Sequence, residues 1–272
     1  MNICFNGKYL PSSLPVITAQ NHSFKWGDGL FETMKLLNGE ILLQDLHFDR
    51  LFLGLEMLHI NCDTSFAQEI ISKQIISLAE QNDCRNLARI RLAVYRNEQN
   101  RAEFVIEAKP LSTDYNRWDE HGWAIGLYPH VRKQTDAISN LKSSSYLPYV
   151  LAGRHAKEND MDEALVLNTS NFICDGSKSN IFLIKSDEVI TPALHQGCIN
   201  GVMRRHLIAE LKSSGRVIKQ QEVSEEDLLD ADEIFVTNAL VGIRWVHSFK
   251  EKTYGSTQSF SIYNKHVSTL FT

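Results

Sequence analysis

The sequence is poor in several features that would each have pointed to a function. No apolar run approaches the ~18 residues a membrane span needs, so no membrane segment is expected. Met1 to Leu10 lacks the charged start and long apolar stretch of a secretory signal, and none is expected. Basic residues are not in excess: 28 Lys plus Arg stand against 33 Asp plus Glu, a formal charge of −5, which argues against a nucleic-acid partner. The five cysteines (Cys4, Cys62, Cys84, Cys174, Cys198) are scattered and odd in number, with no Cys-x-x-Cys pair. They read as reduced thiols of a cytoplasmic protein. The ten histidines are dispersed and no His-Glu-x-x-His occurs, so no metal is expected. Gly-x-Gly-x-x-Gly, the Gly-Lys-Ser/Thr phosphate loop and Gly-x-Ser-x-Gly are missing too, which removes the common nucleotide and serine-hydrolase devices.

What is present is an ordinary globular composition, 43% hydrophobic and 22% charged, over 272 residues, a length suited to about two domains. Asn6-Gly7 and Asn38-Gly39 each sit between strand-like runs and read as hairpin turns. Apolar residues at helical spacing mark helices over 45–60, 66–81, 147–157, 202–211 and 260–270. Strands are expected at 86–95, 104–108, 123–127, 163–167, 180–184, 189–191, 216–220, 233–237 and 242–247. The polar stretch at 111–118 reads as a linker between a domain at 1–110 and another at 119–272. Many strands with few helices between them suggest an α+β class.

Four short segments contain residue types that carry chemistry. Gly27-Asp28-Gly29 is a tight turn before a strand. Arg50, three residues after His47 in an apolar helix pattern, is a snorkelling or ion-paired side chain, or a buried anion ligand. Asn200-Gly201-Val202-Met203-Arg204 opens a helix, whose free N–H groups bind water or an anion. Lys142 lies before three serines; such an amine is solvated, or else has a depressed pKa and forms a Schiff base.

Taken in order, eight stretches resemble the class IV pyridoxal-phosphate enzymes. They are Phe24 to Thr33, Leu46 to Leu51, Asn140-Leu141-Lys142, Asp162 to Leu167, Asp175 to Phe182, Thr191-Pro192, Asn200 to Arg204, and Asp232 to Ala239. That family includes branched-chain and D-amino-acid aminotransferases and 4-amino-4-deoxychorismate lyases. The resemblance implies the two-domain fold type IV architecture: a smaller N-terminal α/β domain and a larger β-rich C-terminal domain that carries the Schiff-base lysine.

It also implies pyridoxal 5'-phosphate as cofactor, a small-molecule amino substrate, and a homodimer. Lys142 matches the Schiff-base lysine, and Arg50 the arginine on the cofactor phosphate. Val202 and Met203 match backbone donors to that phosphate, and Asn238 and Ala239 its second contacting turn. Asp175 falls where the family places a glutamate against the pyridine nitrogen, one methylene shorter. Phe31, Arg101 and Tyr146 fall at or near substrate positions. Arg101 lies five residues after Arg96, without the family's following glycine; Tyr146 lies one residue before the family's tyrosine. The wording Asn-Gly-Val-Met-Arg at 200–204 and Thr-Asn-Ala-Leu at 237–240 resembles the lyases, implying pyruvate release and 4-aminobenzoate, a step in folate biosynthesis. Transamination of branched-chain or D-amino acids is the alternative, and a non-catalytic ligand-binding relative the second.

Overall fold

A computed structural model describes residues 1–272. Its contacts separate two compact units: Met1–Tyr115 with Leu141–Tyr146, and Asn116–Asn140 with Leu147–Thr272.

The first unit is built from β1 (Asn2–Phe5), β2 (Lys8–Pro11), α1 (His22–Trp26), β3 (Gly29–Leu37), β4 (Glu40–Ile41), α2 (Gln44–Met57), α3 (Gln68–Gln81), β5 (Leu87–Arg96) and β6 (Ala102–Pro110). The strands form one antiparallel sheet in the order β2-β1-β6-β5-β3-β4. Both Asn-Gly pairs make the expected hairpins, with Asn6, Gly7, Asn38 and Gly39 all at positive φ. Alternation along β3 and β5 sends Met34, Leu36, Ile90, Leu92 and Val94 to one sheet face, the face that α2 and α3 cover with Phe48, Leu51, Leu55, Ile71, Ile75 and Leu78.

The second unit contains β7 (Trp123–Lys133), α4 (Leu147–Glu158), β8 (Glu163–Asn168), β9 (Ile173–Gly176), β10 (Asn180–Lys185), β11 (Glu188–Pro192), α5 (Val202–Ser213), β12 (Ile218–Gln221), α6 (Glu225–Asp230), β13 (Glu233–Asn238), β14 (Gly242–Phe249), β15 (Lys252–Thr253) and α7 (Thr257–His266). Its sheet runs β12-β11-β10-β13-β14-β7-β8-β9, with β15 on β14. The pairings of β11 with β12, β14 with β7, and β7 with β8 are parallel; the others are antiparallel. Near-continuous apolar runs such as Ile181-Phe182-Leu183-Ile184 and Ile234-Phe235-Val236 are buried on both faces, as central strands require.

The α+β class is as expected, with some differences. Helices α1 and α6 and strands β9 and β15 were not foreseen: α6 is only six residues long, held by a capping box between Ser224 and Asp227, and β9 and β15 have four and two residues. The segment carrying Lys142 joins the N-terminal unit, which corrects the expectation that the C-terminal domain carries it. Leu141 is buried in the N-terminal core, Phe31 N–H donates to the Lys142 carbonyl at 3.0 Å, and Ser144 N–H to the Gly29 carbonyl at 2.8 Å. No helix is long and apolar enough to cross a membrane.

Candidate active site

In the N-terminal unit the chemistry gathers where β3 begins. The Lys142 backbone adds itself to the start of β3, with a bridge between Leu30 and Ser143. This sets the Lys142 Nζ 4.6 Å from the centre of the Phe31 ring and 5.3 Å from that of Tyr146. The two rings meet edge to face at 5.1 Å, and the Arg91 guanidinium lies 4.8 Å from Phe31. Phe31 and Tyr146 thus surround the expected lysine with π-faces that favour a nearby cation.

Glu32 points to the helix-covered face of the sheet, next in sequence to Phe31. Its carboxylate is 1% exposed and meets two residues of α2. Arg50 donates from Nε to Oε1 at 2.7 Å and from Nη2 to Oε2 at 2.5 Å. His47 Nδ1 lies 2.7 Å from Oε2. Spacing of three residues places His47 and Arg50 side by side on the helix. Burial alone would raise the Glu32 carboxyl, but the Arg50 charge and the His47 bond outweigh it and hold it at about 2. Burial pushes His47 the other way, below its ordinary value, despite Glu32; the charges of Arg50 and Lys142 add to that. His47 is therefore neutral, gives its Nδ1–H to Glu32, and leaves Nε2 buried with no partner. Of the two readings of Arg50, the ion pair is the one directly visible.

In the C-terminal unit the centre is Asp175 on β9, 1% exposed. It accepts from Tyr149 Oη at 2.7 Å, Lys133 Nζ at 3.2 Å, Asn180 Nδ2 at 2.8 Å and the Ile199 N–H at 2.9 Å. The same Asn180 amide donates to the Ile199 carbonyl at 2.8 Å. This ties Asp175 to the turn that leads into α5. Gly201 caps α5 without a side-chain bond, and a Cβ there would lie 1.8 Å from Asn180 Oδ1. Only glycine lets this turn pass so close. The first turn of α5, starting at Val202 and Met203, is left without a side-chain cap, a donor set suited to an oxyanion.

The remaining expected residues separate. Asn238 Oδ1 accepts from the N–H groups of Leu240 and Val241 at 3.0 and 3.1 Å, so this side chain shapes the turn that includes Ala239. Arg101 is exposed at the end of the β5–β6 turn, where its N–H donates to Asn97 Oδ1 at 2.9 Å. Arg96 is engaged elsewhere, donating to Asp28 at 2.7 Å and to the Leu58 carbonyl at 2.7 Å. Glu32, Lys133, Tyr149 and Asn180 had no role assigned from the sequence. Lys133 and Tyr149 carry no local signal, since only the fold brings them to Asp175.

A family model described as amino-transferase class IV matches residues 29–249. The chain belongs to the class IV aminotransferases. An aminodeoxychorismate lyase of Bacillus subtilis (strain 168) is 30% identical over 268 residues, covering 93% of this chain and 88% of that protein. A putative branched-chain-amino-acid aminotransferase of Methanocaldococcus jannaschii is 27% identical over 253 residues, covering 89% of this chain and 86% of its own. Among solved structures, the branched-chain aminotransferase of Thermoproteus uzoniensis with norvaline superimposes with a TM-score of 0.86 at 21% identity, covering 100% of this chain and 95% of that one. The class IV fold and an enzyme of this family are therefore established; its relatives are named for two different reactions.

Proposed function

We propose that this class IV enzyme uses pyridoxal 5'-phosphate and acts as a 4-amino-4-deoxychorismate lyase, releasing pyruvate to leave 4-aminobenzoate. The observation that carries the cofactor is Lys142, a family-matched lysine whose amine lies against the Phe31 and Tyr146 rings. Each unit by itself offers groups of the kind the cofactor needs: an amine at Lys142 and a guanidinium at Arg50 in the N-terminal unit, the uncapped start of α5 and a buried carboxylate at Asp175 in the C-terminal unit. By their match to the family, Lys142 would hold the cofactor covalently, Arg50, Val202 and Met203 its phosphate with Asn238 and Ala239 at the second turn, and Asp175 its ring nitrogen. When bound, pyridoxal phosphate supplies an electron sink for the carbon that bears the substrate nitrogen.

The chain's own residues do the rest. Lys142 would serve as general base, taking the proton from the substrate carbon that bears the nitrogen. Asp175 is buried and fixed in place by Lys133, Tyr149, Asn180 and the Ile199 N–H. The Phe31 and Tyr146 rings lie against the amine of the half-buried Lys142. Arg101, exposed at a turn, is a weaker candidate for the substrate carboxylate than the sequence spacing alone made it. The choice of lyase is supported by the wording at 200–204 and 237–240 and by the Bacillus relative. Transamination is the second reading, supported by the Methanocaldococcus relative. A cytoplasmic homodimer completes the proposal, on the family resemblance; the mass in solution from sedimentation tests it.

The test is the visible spectrum of the protein incubated with pyridoxal phosphate, before and after glutamate and a panel of amino acids. The lyase reading expects a band that persists with amino acids, together with 4-aminobenzoate formed from aminodeoxychorismate. A band bleached by one amino acid makes the enzyme an aminotransferase. No band, or an unchanged band in Lys142→Ala, rejects the cofactor assignment.

A further inference from the structure

The Glu32–His47–Arg50 cluster is built more tightly than an ion pair between a strand and a helix needs. Glu32 takes one whole edge of the guanidinium with both carboxylate oxygens, and His47 takes a second lone pair of Oε2. A guanidinium is planar and rigid, so fixing one edge fixes the direction of every other N–H. The cluster also has an orientation. His47 is 0% exposed, Glu32 1% and Arg50 9%, so only the arginine reaches outward. His47 Nε2 is buried without a partner, a cost that folding alone would not retain, so the residue is kept for its Nδ1–H alone. Glu32 also works against an anion electrostatically, and a site selected only for positive charge would not bury a carboxylate beside its arginine.

We propose that Glu32 and His47 are positioning residues that hold Arg50 in the single orientation in which it receives the cofactor phosphate. This rests on the cofactor reading above. In this arrangement the neutral His47 fixes the Glu32 rotamer, Glu32 fixes the guanidinium plane, and the oriented donors recover more affinity than the carboxylate's charge removes. Arg50 alone touches the phosphate; the other two act through it.

The experiment compares pyridoxal phosphate with pyridoxal, which lacks the phosphate, by equilibrium binding to the full-length protein. Wild type, Glu32→Gln, His47→Leu and His47→Asn are measured, with thermal unfolding as a check on folding. Wild type is expected to bind pyridoxal phosphate much more tightly than pyridoxal. Glu32→Gln and His47→Leu each lose about tenfold or more for pyridoxal phosphate, the scale of one charge-assisted hydrogen bond, while pyridoxal affinity stays near wild type. His47→Asn, whose amide can take the place of Nδ1–H, recovers most of the loss. Equal losses for both compounds, unchanged affinity for both, or a gain for pyridoxal phosphate in Glu32→Gln each overturn the proposal. Equal losses would make the cluster a plain staple between β3 and α2, and a gain would make Glu32 a competitor. Should Glu32→Gln not fold, the two His47 variants decide the matter by themselves. Equal affinity of wild type for the two compounds would remove the phosphate role of Arg50 itself, and that failure is visible before any variant is made.

Discussion

Each unit contains a buried carboxylate, and the two are stabilised in opposite ways. Glu32 is held by two residues of a single helix, 15 and 18 positions away, one of which is a bidentate arginine. Asp175 is held by four donors 5, 24, 26 and 42 positions away, from β10, the turn before α5, α4 and β7. The charge of Glu32 is matched by one strong partner, whereas that of Asp175 is shared over several weaker ones. The lesson concerns redundancy: a buried carboxylate that depends on one charged partner and one histidine loses most of its support with the arginine, and one with four donors does not.

The largest expected effect tests that difference directly. Arg50→Leu leaves Glu32 with His47 alone and should cost about 3–5 kcal/mol in urea unfolding, the scale of breaking a buried pair. Lys133→Met leaves Asp175 with Tyr149, Asn180 and the Ile199 N–H, and should cost only about 1–3 kcal/mol. The reverse order would break the comparison. Acid sharpens it. Glu32 titrates at about 2 in the fold against 4.5 ordinarily, so its contribution is complete above 4.5 and is lost as pH falls toward 2. His47, lowered from 6.5, adds a loss of the same sign as pH falls below that value. Wild type should therefore lose stability steadily on acidification, and Glu32→Gln should show a flatter profile of urea midpoint against pH between 4.5 and 2.

Gly201→Ala tests the Asp175 side from its backbone. The new Cβ meets Asn180, and overpacking of about 1–3 kcal/mol is expected from unfolding curves, since both the amide and the turn must shift. The smallest effect belongs to Arg101→Ala. An exposed turn residue should change stability by no more than about 0.5 kcal/mol, and the KM for the amino substrate should stay at the wild-type value. A large rise in KM would restore the substrate role that the spacing from Arg96 suggested.

The parts of the site legible in the sequence are those whose geometry is local. Lys142, Arg50 and the start of α5 could be named as candidates because each lies inside a short local motif. Residues gathered across long loops were not found. Tyr149 looks like one more apolar position of α4, and Lys133 like a polar strand end, until the sheet order brings both to β9. Arg101 was put forward on its spacing from Arg96, a sequence property; in the fold Arg96 is tied to Asp28 and the Leu58 carbonyl while Arg101 is exposed.

By itself the sequence determined the strands and helices with strong periodicity, both Asn-Gly hairpins, the α+β class and the family motifs. Each depends on interactions within a few residues, or on which face of one element is apolar. Only the tertiary structure decided to which unit the Lys142 segment belongs, because that follows from burying Leu141 and adding backbone bonds to β3, more than a hundred residues earlier. It also decided what surrounds Asp175 and that Glu32 pairs with Arg50. A buried charge must find donors wherever the packed chain supplies them, and no local pattern states where that is.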